Sequence, residues 1–196
     1  MTSKISSSVK KILIINGHPD TSSFCGSIAN RYAEKARSVG HSVQVLHLGD
    51  MHFELSLKAA HKQIQPLEPD LKHAWDLMKD SQHLVFVFPI WWGGMPALLK
   101  GFFDRILLPG KAFKYRPGTN RCDGLLAGLS AEVFTTMDTP PWYYRWVQCE
   151  PAHRQIRHMI LEFCGIKPVR ITAFGAIRGA EAQQRKTWLA QVAGQA

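Results

Sequence analysis

Residues 11–27 read KILIINGHPDTSSFCGS, an apolar run that empties directly into small, polar and turn-forming residues. The run over 12–15 does not alternate with polar positions, so the strand it forms is covered on both faces, as in the middle of a parallel sheet. The polar stretch behind it is then the first β-α connection. In an open parallel sheet, ligands settle outside the carboxyl ends of the strands where the strand order reverses.

Outward from that stretch the same pattern repeats. Apolar runs bounded by turn residues occur at 42–48, 83–89, 131–136 and 169–175, giving five strands in all. Between them, 3.6-residue periodicity predicts helices over 27–39, 69–79, 96–107, 151–163 and 180–192. Pro96 suits a first helical turn, and Gly40 and Gly165 sit where helix C-caps belong. Strands alternating with helices imply right-handed βαβ units. The expected architecture is a flavodoxin-like three-layer α/β/α sandwich around a five-stranded parallel sheet in the order 2-1-3-4-5. A six-stranded dinucleotide fold shares much of this pattern. The connections at 49–65 and 108–128 exceed simple turns, and such loops carry function or make interfaces.

The 196 residues suit one domain, with 45% hydrophobic and 20% charged residues. Residues 1–10 are polar and read as a disordered leader, leaving 11–196 as a single flavodoxin-like domain. No run reaches the ~20 apolar residues of a membrane span. Cys25, Cys122, Cys149 and Cys164 are scattered without a C-x-x-C pair, which argues against a disulfide framework or a metal site and for a reducing cytoplasm. Lys and Arg outnumber Asp and Glu by 24 to 15, with 10 against 8 in residues 1–98 and 14 against 7 in residues 99–196. The second half should attract anions: a phosphate-bearing small molecule, or no ligand beyond solvent. Nucleic acid is disfavoured because no recognition motif accompanies the scattered charges.

Three stretches carry the candidate chemistry. In the first connection, Ser22, Ser23 and Ser27 offer hydroxyls, Gly17 and Gly26 permit close backbone approach, and the following helix N-terminus favours an anion; the same serines also suit helix capping alone. His18 fits either a structural or a ligand role. Neither G-x-G-x-x-G nor G-x-x-x-x-G-K-[ST] spacing is present. In FPIWWGGMPALLKGFFDRIL (88–107), Trp91 and Trp92 beside two glycines form either a wall for a flat ring or packing beneath the 108–128 loop. In VFTTMDTPPWYYRW (133–146), Thr135, Thr136 and Asp138 lie at a strand end next to an aromatic cluster. A phosphorylated flat aromatic molecule satisfies all three, and flavin mononucleotide has that shape.

Through GHPDTSSFCGS (17–27), FPIWWGGMPALLKGFFDRIL (88–107), TTMDTPPWYY (135–144) and LEFCGIKPVRITAFGAIRG (161–179), the chain resembles the NAD(P)H:quinone oxidoreductases of flavodoxin-like fold. That group includes bacterial NAD(P)H dehydrogenase (quinone) proteins and ancillary subunits of glutathione-regulated potassium efflux systems. The resemblance spans about residues 11–189. It implies that His18, Ser23, Phe24, Cys25, Gly26 and Ser27 hold the flavin phosphate and ribityl chain. It further implies that Pro89, Ile90, Trp91, Trp92 and Gly93 line the ring, and that Thr135, Thr136, Met137 and Asp138 meet its other edge. Tyr143 falls at the family's tyrosine near the nicotinamide and quinone, and is the implied catalytic residue. Cys25 stands where the family usually has Asn, and Met137-Asp138 where larger animal relatives have Gly-Gly. No histidine matches the one that follows that tyrosine. The implied cofactor is FMN, with FAD as alternative, NAD(P)H as donor and a quinone as acceptor in ping-pong turnover. A homodimer and, as a second role, a membrane-transporter partner are implied too. An acidic electron-transfer flavodoxin is disfavoured by the basic charge.

Overall fold

The structure, a computed structural model, describes residues 9–58 and 65–196. The leader expected over residues 1–10 falls outside it except for Val9 and Lys10, as do residues 59–64 of the first long connection.

The five parallel strands are β1 (Lys11–Asn16), β2 (Ser42–His47), β3 (His83–Pro89), β6 (Ser130–Thr136) and β7 (Val169–Phe174), in the order β2-β1-β3-β6-β7. This is the expected 2-1-3-4-5 order, counted over the main strands. Two three-residue strands, β4 (Phe113–Tyr115) and β5 (Cys122–Gly124), pair antiparallel inside the 108–128 connection. The helices are α1 (Phe24–Ser38), α2 (Pro69–Asp80), α3 (Ala97–Ile106), α4 (Pro141–Trp146), α5 (Pro151–Arg154) and α6 (Ala182–Ala193). The helix expected over 151–163 is instead α5 followed by a π-helical segment, Gln155–Leu161. Helix α4 and the β4–β5 ribbon were not anticipated.

Strand alternation assigns the sheet's side chains to two cores. Leu13, Ile15, Phe86, Phe88 and Val133 pack with Leu71, Leu99, Phe102 and Ile156 on one face. Ile12, Ile14, Val85, Val87 and Phe134 pack with Ile28, Ala29 and Ala33 of α1 and Val192 of α6 on the other. Each fully buried Ile, Leu or Phe contributes ~1.5–3 kcal/mol before entropy is charged, so β1 and β3 anchor both layers. Helix α1 begins three residues before the expected start because Ser23 caps it, its Oγ accepting from Gly26 N at 3.3 Å. At its other end Gly40 takes φ +98°, as the C-cap reading requires.

The loop after β2 is held down by Arg105 of α3, which is wholly buried. Its guanidinium donates to both carboxylate oxygens of Glu68 at 3.1 and 2.8 Å, to Pro66 O at 2.9 Å and to Glu54 O. Burial alone would raise the Glu68 carboxyl, but Arg105 and two backbone amides outweigh it and hold the group below its ordinary value. From β1 the chain passes to β2 on one side and β3 on the other. The crevice above β1 and β3 is therefore the reversal point, and the connections leaving β1, β3 and β6 crowd round it.

Candidate functional site

A cleft of about 370 Å³ opens there. It is lined by His18, Ser23, Phe24 and Cys25 from the first connection, Pro89, Ile90 and Trp91 from the β3–α3 loop, and Thr136, Met137, Asp138 and Thr139 from the β6–α4 loop. Ile177 and Arg185 close its remaining side.

The first connection is fixed from within. Buried Asn16 accepts the His18 amide on Oδ1 at 3.1 Å, and His18 Nδ1 accepts the Asp20 amide at 2.9 Å. An accepting Nδ1 leaves the proton of a neutral imidazole on Nε2. The ring lies edge-on to Trp91, centroids 5.6 Å apart. Ser22 is consumed locally: its amide and hydroxyl both reach Asp20 Oδ1, at 2.8 and 2.7 Å, and hold that carboxyl below its ordinary value. Gly26 does not line the cleft. Its missing side chain lets α1 pack against Thr21 O, which would lie 1.9 Å from an added Cβ. Ser27 is also outside, its hydroxyl donating back to Ser23 O at 3.4 Å. What the helix start offers is its first-turn amides, which have no intrahelical acceptor.

In the β3–α3 loop, Ile90 N donates to Thr136 O at 2.7 Å and ties two strand ends together. Trp91 and Gly94 exchange both backbone hydrogen bonds, at 3.0 and 2.9 Å, around Trp92 (φ +53°) and Gly93 (φ +75°). Two positive-φ residues at the tip make a type I′ turn, unusual for tryptophan. Trp92 was expected to wall the cleft; instead the turn carries it into solvent, fully exposed, and Gly93 also lies off the lining. Of the two tryptophans Trp91 reaches the lining, beside Pro89 and Ile90.

Thr135 and Thr136 point to opposite faces of β6. Thr136 Oγ1 lies 3.3 Å from Cys25 Sγ at the base of the cleft. Thr135 turns away and bonds His153 Nε2 at 2.9 Å, so it is not a cleft residue. Burial pushes the Cys25 thiol up to about 11, against the lowering effect of Thr136, so it stays protonated near neutrality. Asp138 Oδ1 accepts the Arg178 amide at 3.0 Å, tying the β6–α4 loop to the loop after β7.

Tyr143 is partly exposed beside Trp142, ring centroids 5.7 Å apart, and does not line the cleft of this chain. Its neighbour Tyr144 is buried, its hydroxyl accepting the Ala152 amide at 2.9 Å, and burial raises it. His153, below Tyr144, is lowered by burial. Arg185 was missed. Its Nη2 donates to Ile177 O at 2.9 Å, its Nε to Ala180 O at 3.4 Å, and its guanidinium sits 5.5 Å over Phe24. Only the basic excess of the second half hinted at it.

A family model described as "Flavodoxin-like fold" matches residues 10–195. The chain belongs to that flavodoxin-like family. Among its relatives, a Haemophilus influenzae protein named "Uncharacterized NAD(P)H oxidoreductase" is 29% identical over 187 residues, covering 90% of this chain and 89% of the relative. The human "Ribosyldihydronicotinamide dehydrogenase [quinone]" is 28% identical over 213 residues, covering 92% and 88%. A crystal structure from Streptococcus mutans is similar with 32% identity and a TM-score of 0.80, covering 93% of this chain and 96% of that one. This flavodoxin-like chain therefore has the relatives that its sequence resemblance implied, and its cleft lies at the reversal point of the fold.

Proposed function

We propose that residues 11–196 form one FMN-binding unit that oxidises NAD(P)H and reduces quinones, as the names of its relatives suggest. The observation that carries this is the convergence of three strand-end loops on a single cleft whose donors suit each part of FMN. The volume, about 370 Å³, falls within the ~300–1,000 Å³ of small-molecule sites. The first-turn amides of α1, Ser23 and Arg185 suit a phosphate. Ile90, Trp91 and Met137 supply apolar contact for a flat ring, and Thr136, Asp138 and Thr139 supply polar atoms at its edge. FAD is the alternative cofactor.

When bound, FMN would supply the two-electron redox chemistry between NAD(P)H and a quinone. The chain's own part is to bind and orient. Arg185 and the start of α1 would neutralise the phosphate, Trp91 and Ile90 would hold the ring, and His18 keeps its proton on Nε2 by accepting at Nδ1. The Cys25 thiol, protonated and tied to Thr136, forms floor and does not act as a nucleophile.

A homodimer is part of the same reading. Trp92, Met159 and Phe163 are all exposed, which is costly for a lone chain and suits a partner that covers the open cleft. In such an assembly the proposed role of the partly exposed Tyr143 is to meet the acceptor in the site that the partner completes. Among the described residues no helix is long and apolar enough to cross a membrane; a cytoplasmic place is part of the proposal.

The test is steady-state kinetics of the FMN-loaded protein with NADPH or NADH and a simple naphthoquinone. A single slot serving donor and acceptor in turn gives parallel double-reciprocal lines. Absence of quinone-dependent NAD(P)H oxidation by protein carrying stoichiometric FMN would overturn the reading. Light scattering should give a mass near twice the 22.1 kDa chain.

A further inference from the structure

A second cavity, larger than the flavin cleft, lies on the other side of the β6–α4 connection. It encloses about 500 Å³ between α4, α5, the π-helical segment and edge strand β7. The partition from the flavin cleft is thin: residues 137–139 line the cleft, whereas Pro141 and Trp142 line this cavity. The partition is also firm, because Gly175 lies so close beneath it that an added Cβ would sit 2.4 Å from Pro141 Cδ and 2.6 Å from Thr139 O.

The walls are strongly cationic. Arg145, Arg154 and Arg157 all line the cavity, and among the described residues none of the three has a carboxylate within salt-bridge reach. The carboxylate in the lining, Glu150, lies 3.6 Å from His153 Nδ1. His158, also in the wall, is taken by Glu162 at 2.9 Å. Arg157 is oriented by a bond from Nη2 to Val169 O at 3.2 Å, and its buried Nε has no acceptor. Arg145 lies 5.0 Å over the ring of Trp146, which with Trp142 contributes exposed aromatic surface to the rim.

Three unpaired guanidinium groups round one concavity repel one another until an anion joins them. Guanidinium forks match phosphate oxygens bidentately, and the neighbouring indoles provide a surface on which a base can stack. This accounts for part of the basic excess of the second half, which the flavin cleft absorbs only through Arg185.

We propose that this cavity binds a phosphate monoester carried on an aromatic base. Two sources share that chemistry: the 2′-phosphate end of the donor NADPH, and a separate phosphorylated nucleotide. Only the first rests on the redox reading of the neighbouring cleft.

The test is calorimetry on FMN-saturated and FMN-free protein at fixed ionic strength, with 2′,5′-ADP, inorganic phosphate and citrate as probes. The comparison variant is Arg145→Gln combined with Arg154→Gln, both exposed positions outside the flavin cleft. The 2′,5′-ADP should bind in preference to citrate, and its affinity should fall at least ~10-fold in the double variant, about 1.4 kcal/mol. FMN affinity should be unchanged. If the donor is the source, the double variant raises KM for NADPH and leaves KM for NADH alone. If the source is separate, neither KM moves while 2′,5′-ADP still loses affinity. No heat from either phosphate probe, equal binding of citrate, or an affinity indifferent to both arginines would overturn the proposal. Protein that binds 2′,5′-ADP but no flavin would sink the redox reading and leave this site standing.

Discussion

Replacing Arg185 with Ala should weaken FMN far more than it weakens riboflavin, which lacks the phosphate. The guanidinium is placed by two backbone carbonyls, Ile177 O and Ala180 O, and by Phe24 beneath it, so it reaches the cleft already oriented. A hydrogen bond to a charged group is worth ~1.5–3 kcal/mol. Arg185 is only half-buried, so the lower half of that range applies, and FMN affinity should fall by ~10- to 50-fold. The two carbonyls it leaves lie near the surface and can turn to water, so the melting temperature should move little. The assay is quenching of flavin fluorescence, with FMN and riboflavin titrated in parallel into both proteins. Riboflavin should bind the variant within ~2-fold of the parent, the scale of a ~0.4 kcal/mol change. An equal loss for both ligands would show that Arg185 shapes the cleft without meeting a phosphate, and no loss for either would remove it from the site.

Two further outcomes follow from the packing. Gly26→Ala must push Thr21 O away from a Cβ that would lie 1.9 Å from it, displacing the first connection; overpacking of this kind costs ~1–3 kcal/mol, and flavin affinity should fall with the melting temperature. Arg105→Met leaves Glu68 and two carbonyls without their donor. Glu68 keeps some solvent contact, so a loss near ~3 kcal/mol is expected, the low end for a broken buried pair, or ~6–12 °C in melting temperature by scanning calorimetry. Because the folded Glu68 carboxyl titrates below its unfolded value, its stabilisation is present above the unfolded value of ~4.3 and lost as pH falls through the folded one. The variant should therefore lose stability less steeply than the parent on acidification, and an unchanged acid limb would contradict the clamp.

The topology was legible because it is written in burial. Residues 12–15 and 84–88 are apolar without alternation, which only a strand covered on both faces permits, and the intervening helices force parallel crossovers. The same double burial hid the site's detail. In β6 both faces are covered, so no periodicity could tell that Thr136 faces Cys25 while Thr135 faces His153. Strands of three residues, as in β4 and β5, are too short to carry a period. Trp92 was placed in the cleft on its chemistry, but its direction is set by the backbone of a type I′ turn. Arg185 comes from a helix distant in sequence and joins the cleft only through tertiary packing of α6 on α1, a contact that no local pattern announces.

Titrating FMN into flavin-free protein while following the visible spectrum asks most directly whether the three loops form a flavin site. The expected result is one FMN bound per chain, with a perturbed flavin band, quenched flavin fluorescence, and release of FMN, identified by mass, on denaturation. Protein that stays colourless and quenches neither FMN nor FAD would contradict the account, leaving a flavodoxin-like fold whose cleft serves another ligand.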